Sequence, residues 1–187
     1  MKKLLISLVI FIIIIALAVI GAIWYVSPSQ KLDLAYEEVP LMDRAMSMVR
    51  RLSTELMLSE TDINNFGKQA LAQAPRYGSG IVVTGAKFQL AGDRLIADLN
   101  IRVKDRIPAA LKLTYRLEWR NPDLTAVIEE ARMRDITLPI RYFGNVVIPI
   151  GEELPEVLVV RNIRIHNGSL VVEFQKPRLE DLSGLLP

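Results

Sequence analysis

"ALKLTYRLEWR", residues 110–120, alternates without a break: Leu111, Leu113, Tyr115, Leu117 and Trp119 fall on one side, Lys112, Thr114, Arg116, Glu118 and Arg120 on the other. A period of two is that of a strand with one buried and one wet face. "RLIADLNIRV" at 94–103 repeats it, with Leu95, Ala97, Leu99, Ile101 and Val103 set against Arg94, Asp98, Asn100 and Arg102. "IVVTGAKFQL" at 81–90 leads into that strand through the turn "AGD". On the other side "NPD" at 121–123 turns the chain into "LTAVIEEARMRDITL", read as a longer, more polar strand, with a helix as the competing assignment. "PIRYFGNVVIPIGEELPE" at 139–156 reads as a short helix or an irregular crossing loop. "EVLVVRNIRIHNGSLVVEFQ" at 156–175 is a hairpin turning at Asn167 and Gly168, the dipeptide a tight two-residue turn favours. Strands in succession joined by short turns give an antiparallel meander with one apolar face, and that face needs cover. Gly85 and Gly92 are where such a sheet could bend.

The cover lies upstream. Pro40 suits a first helical turn. Leu41, Ala45, Val49, Leu52 and Leu56 then recur at helical spacing, predicting a helix that ends near Thr54. A second helix starts in "LMLSETDINNFGKQALAQ" at 56–73. Ser59 is its N-cap, Asp62 stands three residues on, and Ile63, Phe66, Ala70 and Leu71 form its apolar stripe. The pair Asn64-Asn65 has poor helix propensity. Asn64 is therefore expected to hydrogen-bond the backbone of a neighbouring strand or loop, and Asn65 to be solvated.

The first residues belong to a different solvent. Lys2 and Lys3 precede Leu4 to Val26, an uncharged run long enough as a helix to cross a bilayer. "ALA" at 16–18 resembles a signal-peptidase site, but apolar residues continue past it, too long a run for a cleaved signal. The expected organisation is a cytoplasmic tip at 1–3, a transmembrane helix at 4–26, a polar stalk at 27–39, an extracytoplasmic domain at 40–176 and a tail at 177–187. Lys2 and Lys3 place the N-terminus in the cytoplasm, and Trp24 and Tyr25 suit the outer interface.

Once Lys2 and Lys3 are set aside, 21 bases face 21 acids. That balance argues against nucleic acid as a partner. No basic cluster follows the apolar run, which argues against an electrostatic grip on anionic lipid. With no cysteine in the chain, an ordinary core must hold the domain together.

Catalytic candidates are few. His166, the only histidine, reads as a turn residue, and one such residue makes no zinc site. Glu129-Glu130 and Glu152-Glu153 are adjacent pairs, which a strand would point to opposite faces. There is no glycine-rich phosphate loop. No enzyme, metal or cofactor is expected. The apolar inventory leaves two readings open: a filled core, or a groove between helix and curved sheet able to hold an acyl chain. Groove candidates are Phe66, Leu95, Leu99, Leu113, Tyr115, Leu117, Trp119 and Phe174.

The anchor, "ELMLSETDINNFGKQALA", "AKFQLAGDRLIADLNIRV" and "LPEVLVVRNIRIHNGSLVVEF" together resemble bacterial YpmS-like, YceB-like and LmeA-like envelope proteins. These are similar to half of a tubular lipid-binding (BPI-like) module. Leu58, Ser59, Glu60, Asp62, Ile63 and Asn64 match the pattern that opens their long helix. The resemblance covers about residues 56–175 and implies a helix across a curved antiparallel sheet, an apolar interior and a lipid-like ligand. "PRLEDLSGLLP" departs from it in offering no long C-terminal helix. The expectation is an α+β, single-pass membrane protein binding lipid or another apolar envelope component. The rival is a structural or adaptor domain docking onto another envelope protein.

Overall fold

The computed structural model describes residues 2–51, 53–78, 80–121, 123–148 and 158–175. Leu52, the stretch 149–157 and the expected tail at 177–187 lie outside the described residues. The fold is α+β: an N-terminal apolar helix, then helices against a strongly curled antiparallel half-barrel. Helix α1 (Lys2–Val26) contains a span, Ile6–Val26, long and apolar enough to cross a membrane; none of its apolar stretch is buried in the fold, though Val26 at its end packs against the core.

The half-barrel has seven strands: β2 (Arg76–Tyr77), β3 (Ile81–Ala91), β4 (Arg94–Val103), β5 (Ile107–Arg120), β6 (Asp123–Met133) and β7 (Ile136–Leu138) in chain order, with β8 (Val146–Ile148) also on β6. The polar stretch 123–133 is thus strand, and a short 3₁₀ turn at Ile140–Tyr142 occupies the ambiguous region. Register sets Leu95 beside Tyr115, Ala97 beside Leu113 and Leu99 beside Leu111. The opposite face is polar and carries ion pairs such as Lys112–Asp98 at 3.3 Å and Arg94–Glu129 at 2.7 Å. Exposed pairs of this kind contribute little to stability.

Three expectations need correction. The meander is not one sheet: β9 (Val160–His166), β10 (Ser169–Phe174) and β1 (Glu55–Ser59) form a separate three-stranded sheet, ordered β1-β10-β9. Leu170, Val172 and Phe174 therefore meet the half-barrel across the core instead of extending its face. Helix α2 (Leu41–Arg50) stops before Thr54, and Leu56 lies in β1. There Leu56 and Leu58 point inward while Glu55, Met57 and Ser59 point outward, a period of two that overlaps the helical spacing at Leu56. Finally, residues 27–34 are no free stalk. Gln30 O accepts from Asn100 Nδ2 at 2.8 Å, and Asp33 O accepts the Ala86 amide at 3.0 Å. Asp33 Oδ1 receives Lys68 Nζ at 2.8 Å. We call this segment the strap. Gly85 is required by it, since a Cβ there would collide with the Leu32 carbonyl. The irregularity in β3 is a bulge between Val83 and Gly85.

Helix α3 (Glu60–Gln73) begins with a complete capping box: Ser59 Oγ accepts the Asp62 amide, and the Asp62 carboxylate accepts the Ser59 amide. The Asn167-Gly168 turn has positive φ at both residues, 50° and 71°, as a tight hairpin of this type demands.

Candidate functional site

The groove candidates fall into two groups. Leu95, Leu99, Leu113 and Tyr115 share the inner face of the half-barrel and are 6–8 % exposed, and Phe174 reaches the same core from β10. Leu113 lies between Ala97 and Ala131, large against small, which is how a packed layer fills. Burial pushes the Tyr115 hydroxyl up to about 12. Leu117, Trp119 and Phe66 are half-buried at the margins, with Leu117 beside Ala126 and Trp119 beside Leu124. The structure thus brings the candidates together as core.

None of the groove candidates lines either of two concavities that open to solvent. The first, about 440 Å³, lies between α2 and β1. Its floor is Met48 and Leu56, both core residues at 6 % exposure; around them lie Asp43, Arg44, Ser47, Arg51, Ser53, Glu55 and Met57. The volume is in the range of small-ligand sites, and unbranched methionine adapts to irregular apolar shapes. The second, about 490 Å³, lies among the turns near Gly78, Gly80 and Lys104. Sequence reasoning does not find Met48, Met57 and the arginines as cleft residues, because it sets Leu56 on the apolar stripe of a helix ending near Thr54 and so leaves no strand β1 to form the cleft's second wall.

Beside the first cleft sits the most polar buried group. Asp62 Oδ2 accepts from Arg44 Nη1 at 2.6 Å, from the Ser59 amide at 2.8 Å and from Ser59 Oγ at 2.7 Å. Burial raises its pKa, but the Arg44 and Ser59 bonds outweigh that and hold it below the ordinary 3.8. These bonds make Asp62 a strut between α2 and α3.

Asn64 has a comparable task. Its Oδ1 accepts the Phe88 amide at 2.9 Å, and Glu60 Oε2 accepts that of Leu90 at 2.9 Å. Both amides face the edge of β3 that β2 does not reach. Pro75 O and Asp33 O take the Val83 and Ala86 amides on the same edge. Helix side chains and strap together replace a missing strand, which closes an edge otherwise open to pairing. Asn65 is half-buried, not fully solvated. Among the described residues no group of three or more His, Asp or Glu side chains could hold a metal ion.

Comparison with protein families, with curated proteins and with solved structures finds no match to this chain.

Proposed function

We propose that the chain is a single-pass membrane protein with its N-terminus in the cytoplasm, whose outer domain binds lipid or another apolar component of the cell envelope. The observation that carries this reading is the α2–β1 cleft. It is floored by the core residues Met48 and Leu56, so an acyl chain entering it would meet the apolar core. Arg51 at its rim is suited to an anionic headgroup, Arg44 being held by Asp62 and Glu55 by Arg164.

A second reading, a non-catalytic adaptor domain docking onto another envelope protein, is favoured by the tight burial of Leu95, Leu99, Leu113 and Tyr115, which is that of a filled core. Lipid extraction and native mass spectrometry of residues 27–187, expressed in the envelope, separate the two. A bound lipid lost on Ser47→Trp, which would block the cleft from an exposed helix position, supports the first. A clean apo mass from the parent supports the second.

A further inference from the structure

The antiparallel order brings three connections to one end of the half-barrel: the one at Gly78 and Gly80 between β2 and β3, 104–106 between β4 and β5, and 134–135 between β6 and β7. Arg76, Lys104, Arg106 and Arg134 collect there, against Asp105 and Asp135. Asp105 is spent on Arg76 at 3.9 Å, and Asp135 Oδ2 accepts the Tyr25 hydroxyl at 2.9 Å. Exposed apolar side chains stand among the charges: Tyr77 at 56 %, Ile136 at 49 % and Ile107 at 39 %. At the opposite end the flanking bases are Arg94 and Arg120, and both are paired, Arg94 with Asp93 and Glu129 and Arg120 with Glu118.

The same end holds the anchor. Besides the Tyr25–Asp135 bond, the Arg134 guanidinium lies 5.7 Å from the centre of the Tyr25 ring and donates to Ser27 O at 3.0 Å. Trp24 and Tyr25 end the apolar span, where aromatic residues sit at headgroup depth. A turn bonded to Tyr25 is then at that depth too, and its neighbours in the sheet are the other two basic turns.

We infer that this end of the half-barrel rests on the anionic headgroup layer of the bilayer that α1 spans, as a second membrane contact. The inference rests on the proposed anchor but not on any lipid in the cleft. Basic side chains meet the lipid charge, each worth about a fivefold shift toward the surface, and Tyr77, Ile107 and Ile136 enter the interface between them.

The chain has no cysteine, so single labels can be placed at will. Asp105→Cys marks the basic end and Asp93→Cys the opposite one. The full-length chain is reconstituted in nanodiscs of phosphatidylcholine, with or without phosphatidylglycerol, and the label is quenched by headgroup spin-labelled lipid. Quenching should be several-fold stronger at 105 than at 93 in anionic discs. It should fall at 105 in phosphatidylcholine alone, and in the R76E/K104E/R106E variant checked by thermal melting for its fold. Lys104→Glu alone should shift it the same way by less. Equal quenching at both ends, or quenching at 105 indifferent to lipid charge and to both variants, overturns the inference while leaving the anchor intact. A chain that fails to incorporate into discs overturns both.

Discussion

Asn64 and Asp62 are polar residues doing backbone work. Asn64→Ala should leave the Phe88 amide without its partner and cost about 1 to 2 kcal/mol, the lower part of the range because the site is only half-buried. Asn65→Ala, whose side chain makes no such bond among the described residues, should cost under about 0.5 kcal/mol. Similar small effects at both positions in denaturant melts would refute the assignment. Asp62→Asn should cost about 1 to 3 kcal/mol at neutral pH. Because the folded-state pKa is depressed, Asp62 contributes fully above its ordinary 3.8, and the contribution is lost as pH falls through the lower folded value. The gap between parent and variant in urea melts should therefore close in that acid window; a gap constant with pH would show that the charge is not what matters. At this scale much was legible. The cap at Ser59 announced itself through its spacing to Asp62, and an asparagine inside a helix announced a tertiary partner. Asn145, whose Oδ1 takes the Ile128 amide on the edge of β6 between β7 and β8, gave no such signal, since asparagine in a loop needs no explanation.

Elements were legible where one periodicity was sustained. β4 and β5 alternate over ten residues or more, and their core faces follow directly. β1 has five residues, and Leu56 satisfies both its alternation and the helical stripe of α2, so only its pairing with β10 more than a hundred residues later decides the case. The strap is illegible for another reason: its contacts use the carbonyls of Gln30 and Asp33, which carry no side-chain signature. Gly85 was the one visible trace. Gly85→Ala should push the Leu32 carbonyl away and break the Asp33–Ala86 bond, lowering hydrogen-exchange protection of the Ala86 amide and destabilising the domain. Gly144→Ala, with open space around it and no positive φ, should be silent. Unchanged protection at Ala86 would mean the strap can shift without consequence.

For the whole molecule, the inward face of the half-barrel is filled by α2, α3 and the three-stranded sheet. Leu113→Trp would force an indole between Ala97 and Ala131, and should cost about 1 to 3 kcal/mol or more in thermal or denaturant melts. Little change would mean unfilled space behind Leu113 and would turn attention back to the interior as the binding site. The α+β class and the antiparallel pairing could be read from hydrophobic alternation, and the curl from Gly85, Gly92 and the resemblance, but the division into two sheets could not. Nor could the basic end of the half-barrel: Arg76, Lys104, Arg106 and Arg134 are scattered in the chain and meet only because hairpins return it to the same end.

The strap has a further consequence, for proteolytic shedding. A protease cutting just after Val26 would release a domain that keeps Gln30 and Asp33 in place, so its β3 edge stays covered and its fold should be that of the tethered form. A cut at 35–38, beyond the last strap contact with that edge, would leave the Ala86 amide bare and a furrow along Gly85. The first product should remain monomeric; the second should offer a strand edge and self-associate. The two differ by about ten residues, and the shorter one carries the hazard.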